Sequence, residues 1–214
     1  MKPTPRKLIL IFLAVLVISF TGCVALPPPG FEKVPNSWSH VTAYGFSVQV
    51  PGSPGWIQSK TDYGYVWGLK VDRYESAHAG IRVLKSPPLV DRAAFAAFVK
   101  ERTKLDTDTF RYKDIDSEFK DDDGEGLWNI SGHLAFKDTG ANNAGKNEFL
   151  RTHTVFRWAM DPRDPERVVT IWYSWRGKDF DAQKFRERSS QFLNSLRREP
   201  GSTSPRPSAH PAAR

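Results

Sequence analysis

The sequence predicts an α+β fold, an antiparallel sheet of about six to eight strands with two main helices packed on it. Three observations predict it. Segments with apolar residues at every second position recur between residues 44 and 175 and read as strands. Two other segments space their apolar residues three and four apart behind an aspartate, and read as helices. The late strands are joined by links of hairpin length, and strands joined that way pair antiparallel.

The elements follow in chain order. In Tyr44-Gly45-Phe46-Ser47-Val48-Gln49-Val50 the apolar Phe46, Val48 and Val50 share one side, and the strand stops at the turn cluster Pro51-Gly52-Ser53-Pro54-Gly55. A short strand covers 56–60. Tyr63, Tyr65, Trp67, Leu69 and Val71 fall on one face of a longer strand, and 80–85 makes its hairpin partner. The first helix spans 91–105: Asp91 is its N-cap, alanines favour it, and Phe95, Phe98, Val99 and Leu105 form its stripe. A weaker strand, 112–119, precedes two strong ones, 127–137 and 148–160. The strand 167–175 follows the turn Asp161-Pro162-Arg163-Asp164-Pro165. The second helix begins at Asp181. Phe180 and Phe185 stand before the cap and at the fourth helical position, a hydrophobic staple, and Phe185, Phe192, Leu193 and Leu196 face the core.

Matching the apolar faces of the two strong strands sets Trp128 opposite Trp158, Ile130 opposite Phe156 and Phe136 opposite Leu150. On the other face the same register sets His133 opposite His153 and Asn129 opposite Arg157. Two imidazoles could begin a metal site, but no third ligand is identifiable and a tetrahedral site wants four groups. The simpler reading is a polar pair facing a helix, and no metal or cofactor is expected.

The chain opens with Lys2, Arg6 and Lys7 ahead of an apolar run of 13 residues, 8–20. That matches a signal-peptide core and is too short for a comfortable transmembrane helix of about 20 residues. Phe20-Thr21-Gly22-Cys23 then holds the chain's one cysteine. This segment resembles the bacterial lipobox, with Phe20 where Leu is commonest. The resemblance implies a signal peptide over 1–22, cleavage before Cys23 and lipid attachment at its sulfur. Val24 stands where an Asp would favour inner-membrane retention, which implies outer-membrane sorting in a Gram-negative host. Residues 23–36, with Pro27-Pro28-Pro29, read as the lipidated cysteine and a stiff extended tether. The domain occupies 37–198, and 199–214, rich in Pro, Ser and Ala, reads as a disordered tail.

Composition narrows the partners. Without Lys2, Arg6 and Lys7 the 31 basic residues become 28 against 24 acidic, a formal charge of +4. A mildly basic domain is a poor match for nucleic acid. A single cysteine excludes an internal disulfide, so stability must come from a core that seven Trp, six Tyr and fourteen Phe can supply.

The opening 44–51, the pair Gly55-Trp56, a mid-chain helix, a three-strand meander and a closing amphipathic helix resemble the PsbP-like fold over about 42–197. That family includes photosystem accessory subunits, a nuclear-import factor and small bacterial lipoproteins. The resemblance implies a binding or assembly module, and it brings no catalytic residues with it.

Two motifs reduce to turns. Gly140-Ala141-Asn142-Asn143-Ala144-Gly145-Lys146-Asn147 lacks the final Ser or Thr of a phosphate-binding loop and precedes a strand, so it reads as a hairpin loop. Asp121-Asp122-Asp123-Gly124-Glu125-Gly126 starts a calcium-loop frame whose twelfth position is Gly132 instead of Glu, so it reads as a solvated acidic turn. No Gly-x-Ser-x-Gly elbow is present, and with Cys23 lipidated no Cys–His pair remains. Trp67, Trp128, Trp158, Trp172 and Trp175 read as core, and an exposed Trp would mark a binding surface. The resulting expectation is a non-enzymatic lipoprotein of the cell envelope, bound to membrane through Cys23 and to an envelope protein through its domain. The second reading is a binder of a small apolar or lipidic ligand.

Overall fold

The computed structural model describes residues 27–199 apart from 35–38, 44, 51–54, 125 and 141–147. The elements are β1 Glu32–Lys33, β2 Ser39–Ala43, β3 Phe46–Val50, β4 Ile57–Thr61, β5 Gly64–Lys70, β6 Ser76–Lys85, α1 Arg92–Thr107, β7 Tyr112–Gly124, β8 Leu127–Asp138, β9 Leu150–Met160, β10 Arg167–Gly177, α2 Ala182–Leu193 and β11 Arg197–Arg198. Eight strands form one antiparallel sheet in the order β1-β4-β5-β6-β10-β9-β8-β7, and β11-β3-β2 form a second. The fold is α+β, with strands, a helix, a four-strand meander of β7 to β10 and a second helix in chain order, where the PsbP-like resemblance named a three-strand meander.

The large sheet is packed on both faces. On one, Ile130, Leu134, Phe156, Trp158, Met160 and Val168 join Phe95 and Val99 of α1. On the other, Trp67, Ile81, Val169, Ile171, Tyr173 and Trp175 join Phe185 and Phe192 of α2 and Phe46, Val48 and Val50 of β3. Central β10 therefore sends alternate side chains into two cores, which is why it reads as a nearly unbroken apolar run. Large side chains such as Phe95 and Trp67, both fully buried, each contribute on the order of 2–3 kcal/mol of burial.

Both helices start where the sequence places them. Asp91 accepts a hydrogen bond from the Ala94 N–H at 2.7 Å, and Asp181 from the Lys184 N–H at 3.0 Å. The Phe180 and Phe185 rings meet with centroids 5.3 Å apart, the expected staple. Phe98 meets Trp158 edge to face at 6.2 Å.

Several boundaries differ from expectation. Leu105 does not join the α1 stripe and is 57% exposed, while Thr103 and Thr107 are buried. At about 100° per residue Leu105 lies roughly 120° around the axis from Val99, whereas Thr103 and Thr107 follow Phe95 and Val99 at four-residue steps. Tyr63 and Val71 fall outside β5 and are exposed. β6 begins four residues before Gly80, and β2 and β11 are strands without a sequence expectation. Within the segment read as tether, β1 pairs with β4 and Val34 is buried, so packing begins before residue 37.

The acidic segment is not a turn. Residues 121–124 continue β7 and pair with β8 up to Gly124 opposite Leu127. Strand alternation then separates the carboxylates: Asp121 reaches Arg92 of α1, and Asp122 reaches Arg157. A β-bulge between Lys113 and Asp116 interrupts β7, and Asp114 there has φ 52°.

Two glycines explain how the α1-side core closes. A Cβ on Gly80 would collide with the Trp172 ring, and one on Gly132 with the Phe156 ring and the Glu118 carbonyl. Each glycine leaves room for a large aromatic ring of the adjacent strand.

Candidate functional site

Cys23, with the whole leader, lies outside the described residues, as do 141–147 of the hairpin loop and the tail beyond 199. Among the described residues no helix is long and apolar enough to cross a membrane.

The histidine pair comes together, but in a corrected register. β8 and β9 pair with Trp128 opposite Met160, Ile130 opposite Trp158 and Phe136 opposite Thr152. His133 faces Val155, His153 faces Ala135, and Asn129 faces Ala159 instead of Arg157. The shift is two residues, so every side chain keeps its face and the histidines become diagonal neighbours. His153 Nδ1 stands 3.4 Å from His133 Nε2, with ring centroids 5.6 Å apart. Matching apolar faces defines the parity of a register but not its value, because slipping by two leaves both faces unchanged.

His153 stacks on Phe180 with centroids 3.8 Å apart and planes at 8°, and the rings of Trp175 and Phe185 flank it. This is the helix-facing polar pair of the simpler reading. Burial first, then the charges of His133 and Arg151, hold the His153 imidazole below its ordinary value, so it is neutral near pH 7. Among the described residues no group of three or more His, Cys, Asp or Glu is placed to hold a metal.

The tryptophans are core. Trp67, Trp158 and Trp175 are buried, and Trp128 and Trp172 are half-buried. Trp172 and Trp175 do face opposite sides of the sheet. Trp67 packs edge-on against Phe192 and stacks with Tyr65, while Tyr173 meets Trp56, Phe185 and Phe192.

A second polar cluster has no counterpart among the sequence motifs. Asp138, at the end of β8, is almost fully buried and takes two guanidiniums. Arg111 donates from both Nε and Nη2, the latter at 2.6 Å, and Arg176 donates from Nη1 at 3.2 Å. Burial alone would raise the Asp138 carboxyl. Hydrogen bonds from Arg111, the charges of Arg111 and Arg176 and the Gly140 N–H override it and hold the group below the usual carboxylate value.

Arg176 also lies directly opposite Ser76 on β6 and Thr152 on β9, and Ser76 lies opposite Lys70 on β5. Lys70, Ser76, Arg176 and Thr152 therefore form one row across four adjacent strands. Strand parity places the row on the α1 side of the sheet. It lies eight residues along β10 from Val168, the β10 residue buried in the α1 cluster, a distance of about 27 Å. Nothing in the sequence of any one strand marks this row. It exists only once β6, β10 and β9 lie side by side in this order.

No protein-family model matches the chain, and no curated protein matches its sequence. Among solved structures, the Ran-binding protein Mog1p of Saccharomyces cerevisiae is similar with a TM-score of 0.40 and 13% identity, over 75% of this chain and 96% of that one. A point mutant of the protein Mog1 gives a TM-score of 0.39 and 12% identity, over 75% of this chain and 95% of that one. A likeness of that size carries neither an activity nor a partner across to this chain.

Proposed function

We propose that the chain is a lipid-anchored protein of a bacterial cell envelope, whose α+β domain acts as a non-enzymatic binding or assembly module. One observation carries the reading: a basic flank, a 13-residue apolar run and Phe20-Thr21-Gly22-Cys23, with no other cysteine in the chain. A thiol directly behind a signal-length apolar run is placed for lipidation and cleavage. Two or more acyl chains on the new N-terminus give stable anchoring where one gives only marginal binding. The domain would then face the periplasm, in the outer membrane of a Gram-negative host, and meet an envelope protein.

The test is metabolic labelling with a clickable palmitate in cells making the full chain or its Cys23→Ala variant. The expected result is acyl label on the first and none on the second, with the variant recovered in the soluble fraction. Membrane retention of an unlabelled Cys23→Ala protein would instead identify an uncleaved apolar anchor and overturn the reading.

A further inference from the structure

We propose that the free edge of β7 takes up an extended segment of a partner protein, which adds to the sheet as a further strand and carries cationic side chains at alternate positions. The inference rests on the domain being a binding module and not on the anchor.

β7 is 13 residues long and ends the large sheet, paired on one side with β8 and on the other with nothing among the described residues. In an antiparallel ladder alternate residues turn their N–H and C=O groups toward the neighbour, so every second residue of β7 turns both away from β8. The other outermost strands among the described residues, β1, β2 and β11, are two to five residues long. Shortness is one way in which an edge avoids unwanted pairing, and β7 does without it. A bulge interrupts β7 between Lys113 and Asp116, but from Asp116 to Gly124 its pairing with β8 is unbroken. Residues 113–118, 120 and 121 are exposed, so this edge is open to a partner. β1 lies at the opposite edge, so a tether leading into β1 leaves β7 clear. An added strand gains affinity from the main-chain ladder and selectivity from the side chains it meets.

Those side chains state the chemistry of the partner. Asp114, Asp121 and Asp122 pair with Lys137, Arg92 and Arg157, so their charge is answered within the domain. Asp116 and Glu118 are exposed and pair with no cation among the described residues. They stand two residues apart and so share one face of the sheet. Lys120 follows on that face, which confines the unanswered negative charge to positions 116 and 118. Residues directly opposite on an incoming strand stand about 5 Å away, so two cations at alternate positions meet both carboxylates. On the other face are Ser117 and the half-buried Phe119, whose ring lies 5.7 Å from that of Phe156. Apolar residues between the cations would cover the open side of that ring. A second copy of the chain fits poorly, because pairing two such edges antiparallel over the full 116–123 sets Glu118 against Asp121.

The probe is the acetylated and amidated peptide Thr-Arg-Val-Arg-Val-Arg-Thr, added to the full chain while amide hydrogen exchange is followed residue by residue. Saturable slowing of exchange is expected at every second residue of 116–122, those turned away from β8. Asp116→Asn combined with Glu118→Gln should weaken binding about tenfold, since two cross-strand ion pairs are lost. Both side chains are exposed, so this variant keeps the fold. Asp116→Lys combined with Glu118→Lys should shift the preference to the same peptide with Glu in place of Arg. Two further peptides carry methyl groups on the backbone nitrogens of either the arginines or the valines. Only one of these sets can face β7, so one methylated peptide should lose binding and the other keep it. Equal binding by both, or exchange along β7 unchanged by the peptide, would mean attraction by charge alone and would end the proposal. Peptide binding retained in the Cys23→Ala protein shows that the edge acts without the anchor. Absence of peptide binding in a protein that still takes acyl label ends this proposal and leaves the anchor standing.

Discussion

Gly132 shows how much a single residue decides here. It sits mid-way along β8, and the Phe156 ring of β9 lies over it while the Glu118 carbonyl of β7 closes the other side. A methyl group added there meets a ring and a backbone oxygen, and the backbone cannot rotate away as a flexible side chain would. Gly132→Ala is expected to destabilise the domain by about 2 kcal/mol, read as a lower urea midpoint at unchanged slope. An unchanged midpoint would show that the ring is free to lift, and that the α1-side core is looser than its contacts imply. A glycine in a strand is visible in the sequence, but its reason is not. The ring that needs the space belongs to another strand, and only the register brings Phe156 to it.

The helices were the most legible elements because their signals are local. Asp91 and Asp181 are short acceptors placed where two apolar stripes begin, and both cap their helices. Asp91→Ala should cost about 1 kcal/mol, measured by chemical denaturation, because the Ala94 N–H loses its acceptor at the first turn. A loss below a few tenths would mean that water replaces the carboxylate at no cost. The strands were legible in number and less so in extent. β7 runs to Gly124, and its Asp121 and Asp122 reach Arg92 and Arg157, partners that lie far off in the chain. A run of Asp residues read by itself looks like a solvated turn. β11 is two residues long and exists only because β3 offers it an edge. The histidine pair was legible in its face and not in its register, since a two-residue slip preserves every alternation on which the reading depends. The row around Arg176 was not legible at all, because its members come from four strands and share no spacing.

At the scale of the whole molecule, the two cores give stability a pH dependence with two separate windows. His153 is packed under the start of α2 against Phe180, and its imidazole is held below its ordinary value of 6.5 by burial, then by His133 and Arg151. The folded state therefore binds fewer protons than the unfolded chain as pH falls through that value. Stability is fully present above it and declines as pH drops toward the lowered folded value. His78 is shifted in the same direction, but it is exposed, so solvent screens the effect and its share is the smaller. Asp138 acts in a lower window. Its carboxyl is held below its ordinary value of 3.8, so the stability it contributes is lost only as the pH falls through that still lower range. The urea midpoint of the domain should therefore fall as the pH drops below about 6.5, and fall further as it drops below about 3.8. His153→Gln should shrink the first fall and leave the second in place, because the His153 ring contacts the α2 side while Asp138 belongs to the cluster with Arg111 and Arg176. A midpoint that stays flat as the pH drops below about 6.5 in the unaltered protein, or one that falls as steeply in His153→Gln, would show that this imidazole titrates freely in the folded state. It would then not be the neutral partner that its place between Phe180 and His133 requires.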